Sequence, residues 1–257
     1  MTIRPYAFAL SLLLAALSAG AAWAGAPYRT DDPEPTEYRH WEVYAFSTGT
    51  HKSGDTSGVL PGLEADYGAA PNLQLHVIAP LAFDKPADSG TKIGPGDAEF
   101  GFKYRFIQGG ENDWWPDVAI FPAVDVPTGD EERGLGTGHT HVFLPVWLGK
   151  DFGNWTTYGG GGYWNNPGAG DKNYWFAGWL LQRQVTKALA LGGELFHQTA
   201  DTEDGKASTG FNVGAIYDFS DDYHLLISAG RGIRNIPTTN EFSYYLGLLW
   251  TFGPEGK

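Results

Sequence analysis

The sequence predicts an all-β protein: an antiparallel transmembrane β-barrel of about twelve strands, with short periplasmic turns and longer extracellular loops. Three observations predict it. Apolar and polar residues alternate along successive runs of roughly nine to thirteen residues, the length a tilted strand needs to cross a bilayer. The connections between these runs alternate between short and long. Finally, 36 glycines and an aromatic share of 15% suit many short strands and turns rather than helices.

The first residues stand apart. "MTIRPYAFALSLLLAALSAGAAWA" carries one positive charge, Arg4, then an apolar stretch from about Ala7 to Leu17 and a small-residue exit at Ala22-Trp23-Ala24. That is the pattern of a removable signal peptide over residues 1–24, leaving 25–257 as a single outer-membrane barrel domain. No later segment approaches eighteen consecutive apolar residues, so any membrane crossing falls to strands. The chain has no cysteine, which excludes a lipid-modified N-terminal cysteine, disulfides and thiol catalysis together. Loss of Arg4 with the leader takes the formal charge from −13 to −14, which argues against a nucleic-acid partner.

The strands then follow. The first, near 40–48, opens on Trp41. The second, near 58–67, contains "LEADY", with Leu63, Ala65 and Tyr67 set against Glu64 and Asp66. After the turn "GAAPN", the third (72–83) reads "LQLHVIAPL", with Leu73, Leu75, Val77, Ala79 and Leu81 against Gln74 and His76. The fourth (96–107) is the clearest: "GDAEFGFKYRF" alternates Ala98, Phe100, Phe102, Tyr104 and Phe106 with Asp97, Glu99, Gly101, Lys103 and Arg105. Successive strand side chains point to opposite faces, so one face is oily and the other charged. Turning Lys103 or Arg105 toward the bilayer midplane would cost ~2–4 kcal/mol each, which fixes the orientation.

The fifth run (114–127) begins at Trp114, the sixth covers 139–150, and the seventh (154–164) begins near Trp155 beyond the turn "DFGN". In that seventh run, "WTTYGGGGYW" carries a glycine series that lets another backbone or a bulky side chain come close. The eighth (173–184), "NYWFAGWLLQR", is apolar on both faces and does not declare its orientation. The ninth (187–198) follows the turn "QVT"; the tenth (208–219), "FNVGAIYDF", alternates Phe211, Val213, Ala215, Tyr217 and Phe219 with Asn212, Gly214 and Asp218. After "SDD" come the eleventh (222–231) and the twelfth (241–252), whose "YYLGLLWTF" ends on Phe252. Longer polar connections such as "GTHKSGDTSG", "GDEERGLGTG", "NNPGAGDK" and "RGIRNIPTTN" fall at the opposite ends. Trp41, Tyr67, Phe106, Trp114, Trp155, Phe219, Tyr223 and Phe252 gather beside the short turns, as an interfacial girdle would.

The polar face supplies the candidate lumen-lining residues: Glu64, Asp66, His76, Asp97, Glu99, Lys103, Arg105, Asp117, Asp125, Glu194 and Asp218. Facing acidic and basic rows across a narrow lumen make a transverse field that screens solutes; interior ion pairs that merely hold the barrel shut are the competing reading. His139 and His141 in "GTGHTH" have a spacing that could bind zinc or copper, but no further ligands present themselves, and a polar pair at a loop-to-strand junction explains them as well. "IGPGDAE" lacks the following helix that a dinucleotide fingerprint needs. Ser208, Ser228, Ser243, His197 and His224 are the side chains a barrel enzyme could recruit, with nothing in the sequence to join them.

The segment "IGPGDAEFGFKYRF" resembles the Gly-Asp-x-x-x-Gly-x-Lys-Tyr-Arg-Phe-like motif of a family named for the MetA pathway of phenol degradation. "DYGAAPNLQLHVIAPL" and "LPVWLGKDFGNWTTYGGGGY" are similar to the same family, and the resemblance runs from about Thr30 to Phe252. It implies a Gram-negative outer-membrane barrel that passes small aromatic compounds. Barrels of this kind often finish on an aromatic that assists the outer-membrane assembly machinery; here "GPEGK" follows Phe252, a departure from that ending.

The expectation is a non-enzymatic outer-membrane channel, in contact with membrane lipid, for passive permeation of small solutes including aromatic or hydrophobic ones, with no cofactor and no metal. The alternatives are a plugged structural or surface-interaction barrel, a barrel enzyme, and a soluble periplasmic β-sandwich.

Overall fold

The computed structural model describes residues 26–110 and 114–254; the leader expected over residues 1–24 lies outside them. Among the described residues the strands are β1 (Trp41–Lys52), β2 (Asp55–Ala70), β3 (Leu73–Lys85), β4 (Lys92–Pro95), β5 (Ala98–Ile107), β6 (Asp117–Ile120), β7 (Ala123–Val126), β8 (His141–Phe152), β9 (Trp155–Asn165), β10 (Tyr174–Thr186), β11 (Leu189–Gln198), β12 (Ser208–Asp218), β13 (Tyr223–Arg234) and β14 (Phe242–Phe252). Each pairs antiparallel with its neighbours, and β1 pairs with both β2 and β14, from Trp41 opposite Phe252 to His51 opposite Phe242. The sheet is therefore closed, which leaves no backbone edge unpaired in hydrocarbon.

Two staves are broken. β4 and β5 both pair with β3, on either side of Gly96–Asp97, and β6 and β7 both fill the place between β5 and β8. The second break falls at Phe121–Pro122, where proline has no N–H to give the ladder. Counting each broken pair as one gives a twelve-stave antiparallel barrel.

The opening alternation of the fourth stave holds atom by atom. Phe100, Phe102, Tyr104 and Phe106 are 39–51% exposed on the outside, whereas Glu99 and Lys103 are 6% and 5% exposed. The ambiguous β10 also resolves: Trp175, Trp179 and Leu181 point outward, Tyr174, Phe176 and Leu180 inward. The interior itself is aromatic on that side, which is why both faces read alike. At the rim with the short turns, rings touch one another: Trp41 and Tyr67 at 4.5 Å, Trp250 and Phe252 at 4.2 Å, Tyr223 and Trp250 at 6.3 Å between centroids.

The opposite rim differs in part from the sequence expectation. "GTHKSGDTSG" is not a long loop; β1 runs on to Lys52 and β2 resumes at Asp55, with Ser53 (φ 53°) and Gly54 (φ 87°) making a left-handed two-residue turn. "RGIRNIPTTN" likewise continues β13 to Arg234 before the single turn α1 (Ile236–Thr239).

A Phe102→Arg substitution tests the outward face. It is expected to destabilise the barrel by ~2–4 kcal/mol in bilayers, read as a lower midpoint of denaturant unfolding, because the guanidinium enters hydrocarbon near mid-strand. An unchanged midpoint would show that this face does not meet lipid.

Candidate functional site

The segment "APYRTDDPEPTEY", Ala26–Tyr38, forms no strand. Three prolines remove ladder donors, so it adds no strand, and its pairing with the sheet is a single bridge from Tyr38 to Gly68. It lies inside the ring instead, with Tyr28, Thr30, Asp31 and Thr36 all buried.

Side chains of the wall receive it from several strands. Near the β1 end, Arg39 N donates to Gly68 O at 2.7 Å, and Thr36 donates to Gln74 Oε1 on β3 from its N–H (2.9 Å) and its hydroxyl (3.2 Å). Lys103 Nζ on β5 reaches Asp31 Oδ1 at 3.0 Å and the Glu34 carbonyl at 3.3 Å. Glu194 on β11 accepts from Arg29 N (2.8 Å), Thr30 N (2.9 Å), Thr30 Oγ1 (2.6 Å) and Asn212 Nδ2 (2.6 Å). Ser228 Oγ donates to the Pro27 carbonyl. These are charge-assisted or buried bonds, the kind most costly to leave unmade. Burial, with the Glu194 carboxylate nearby, raises the Tyr28 phenol well above its ordinary pKa, so it stays a neutral hydroxyl. Burial and then neighbouring Asp32 likewise raise the Glu34 carboxyl.

The wall is thinned where the segment passes. A side chain on Gly178 would overlap Thr30 Oγ1, and one on Gly192 would lie 2.6 Å from the Tyr28 hydroxyl. Glycine lets the seated chain approach the strand backbone at these points.

Around the segment the interior divides by chemistry. On one side stand Phe143, Trp147, Trp164, Tyr174, Phe176 and Phe196, in mutual contact. On the other, Asp66 Oδ1 lies 2.6 Å from His76 Nδ1, Glu99 Oε1 lies 3.0 Å from His76 Nε2, and Glu64 Oε1 lies 3.7 Å from His76 Nδ1. Cavities remain beside the segment. One of about 610 Å³ is lined by Asp31, Glu42, Glu64, Asp66, His76 and Lys103 among others. A second of about 400 Å³ is lined by Asp117, Lys150, Asp151 and Tyr158 among others. Ala26, Asp32 and Glu34 border both, so the segment parts them.

The expected residues fall as follows. Glu64, Asp66, His76 and Glu99 gather in one buried cluster, with Asp125 opposite Glu99 across the β5–β7 ladder. Glu64, Asp66 and His76 each bring one ligand atom within 4.8 Å of the others, while both imidazole nitrogens already face carboxylates. Lys103 and Glu194 hold the segment. Arg105 Nη1 pairs with Asp117 at 3.0 Å, and Asp218 with His224 at 2.7 Å. Asp97 sits in the break between β4 and β5, where its carboxylate accepts from Gly129 N (2.8 Å), Thr137 N (2.7 Å) and Thr137 Oγ1 (2.7 Å), tying down the loop after β7. His139 turns back to the Thr137 carbonyl at 3.0 Å, and His141 is buried opposite Asp125, so the two meet different surroundings. Ser228 and Ser243 are engaged by Pro27 O and by Asn212 and Asn240, His197 by Thr209, and Ser208 lies opposite Gln198. Sequence reasoning missed Arg29, Thr30, Asp31 and Thr36. The available signal was the proline-rich, acid-rich, non-alternating stretch before Trp41.

Solved structures share this architecture. The COG4313 outer membrane channel from Pseudomonas putida F1 aligns with a TM-score of 0.64 at 20% identity, over 85% of this chain and 99% of that one. The fold is the closed antiparallel barrel of that protein. The NanC porin (TM-score 0.57, 12% identity, 81% and 98% covered) and the KdgM porin in complex with oligogalacturonate (0.56, 9%, 82% and 99%) share the barrel as well. At such identities the likeness is one of fold. No family model and no curated protein matches the chain, so the resemblance to the phenol-degradation family rests on its motifs alone.

Proposed function

We propose that the chain is an outer-membrane channel for passive permeation of small solutes, aromatic or hydrophobic compounds among them, and that Ala26–Tyr38 is its plug. The observation that carries this reading is how the plug is held. Side-chain bonds seat it from Thr36 inward, and it adds no strand to the sheet, so it can withdraw and leave every stave paired. Glu64, Asp66, His76, Glu99, Asp125 and Glu194 then serve as the polar lining, with no cofactor needed. That the fold neighbours are an outer membrane channel and porins supports the same reading. Export on the 1–24 leader, insertion by the assembly machinery and residence among outer-membrane lipids go with it.

The same seat also favours a second reading, a permanently filled structural barrel. Liposome entry of arabinose and of phenyl glucoside separates the two. The native chain is expected to pass both slowly, and a chain lacking residues 26–38 to pass both at least tenfold faster. No entry above empty liposomes for the shortened chain would sink the channel and leave the structural barrel.

A further inference from the structure

Resting on the channel reading, we infer that the pathway takes small organic cations, an ammonium or guanidinium on an apolar body, and that Arg29 of the plug occupies the place such a cation takes. The Arg29 guanidinium carbon lies 4.5 Å from the Phe196 ring centroid and 5.2 Å from that of Phe176. Both are within the ~6 Å over which a ring face attracts a cation. Its Nη2 donates to Gln198 Oε1 at 3.0 Å. An aromatic cage with a polar acceptor is thus already filled by a planar cation.

The floor of that cage is a carboxylate whose partners change when the plug leaves. Glu194 accepts three of its four hydrogen bonds from Arg29 and Thr30. With these gone, Asn212 alone remains, and a buried carboxylate held by one amide calls for a new donor. A solute ammonium supplies donors and charge together. Its apolar body finds the aromatic wall that continues from the cage through Trp147, Trp164 and Tyr174.

The rest of the route points the same way. Glu64, Asp66, Glu99 and Asp125 face the interior with His76 among them. The bases nearby are Lys103, which pairs with Asp31 and Asp32 of the plug, and Arg105, which stays with Asp117. An anion entering the unplugged lumen meets more carboxylates than bases. A neutral ring gains the aromatic contacts alone, and a cation on a ring gains both.

The test uses full-length chain carrying Gly178→Ala, whose added Cβ overlaps Thr30 Oγ1 and meets the Phe176 ring only at an ordinary 3.5 Å. Three probes that cross lipid poorly would be loaded: benzyltrimethylammonium, benzenesulfonate and arabinose. Entry of the cation at least tenfold faster than the sulfonate is expected. Adding Glu194→Gln, or Phe176→Leu with Phe196→Leu, should shrink that ratio at least threefold, with each ratio taken within one variant and scaled to its own arabinose entry, so that altered seating of the plug cancels. Arabinose entry with equal rates for cation and anion, or a faster anion, would overturn this inference and leave the channel intact. Exclusion of all three would overturn the channel and the inference with it.

Discussion

A disulfide between cysteines placed at Thr30 and Gly178 is expected to turn permeation off, and its reduction to turn it on. A Cβ built on Gly178 lies 3.2 Å from Thr30 Cβ. That is a few tenths of an ångström short of the ~3.5–4.5 Å a disulfide prefers, a gap that a small shift of the plug closes. The native chain has no cysteine, so the engineered pair has no competitor. In the reduced form the side chain at 178 crowds residue 30, and the thiol at 30 gives Glu194 a poorer donor than the hydroxyl did. Arabinose entry is expected to rise at least tenfold over the native chain. In the oxidised form the plug is bound to β10, and entry should fall to that of empty liposomes. Equal entry in the two forms would mean that solutes bypass the plug or never pass at all.

Glu194→Ala is expected to release the same segment without touching it. The substitution leaves the Arg29 and Thr30 N–H groups, the Thr30 hydroxyl and the Asn212 amide without their acceptor. Each buried donor left without its acceptor costs roughly 1–3 kcal/mol, and three of these donors belong to the segment. Since about 1.4 kcal/mol is a factor of ten, seating should weaken on the order of a hundredfold or more. The barrel ladder between β11 and β12 is backbone-made and stays. A lone cysteine at Thr36, buried in the native protein, reports the change through its rate of maleimide labelling. That rate is expected to climb by about two orders of magnitude in Glu194→Ala and by less in Glu194→Gln, which keeps one acceptor. Labelling as slow as in the parent would show that Glu194 does not hold the plug.

The staves were legible because their environment imposes a period of two. "GDAEFGFKYRF" could be oriented from its letters since lipid admits Phe102 and refuses Lys103. β10 could not, because the barrel interior there is built from Phe176 and Leu180, as apolar as the lipid outside Trp179. Breaks in two staves were hidden for another reason: Pro122 and Asp97 act locally, and the neighbouring strand pairs across them. The plug was the largest thing not read. Prolines and acids in a row look like a solvated approach to the first strand. What makes the segment buried is Glu194, Lys103 and Gln74, which are 164, 72 and 38 residues away from Thr30, Asp31 and Thr36. No local pattern reports such partners. The acidic cluster was half legible: the polar face named Glu64, Asp66, His76 and Glu99 separately, and ring closure decided that they meet.

The plug is continuous with β1, the strand that also seals the ring against β14. It is therefore leashed to the seam, and the Arg39–Gly68 bond ties that leash at the rim carrying the short turns. Its thirteen residues, drawn straight at ~3.3–3.6 Å each, span about 45 Å. That is longer than the ~30 Å hydrocarbon slab. A withdrawn plug can thus hang well clear of the membrane on one side only, and it re-enters by the same mouth without ever diffusing away. Reclosure is a first-order event with a built-in local concentration, independent of how many barrels the membrane holds.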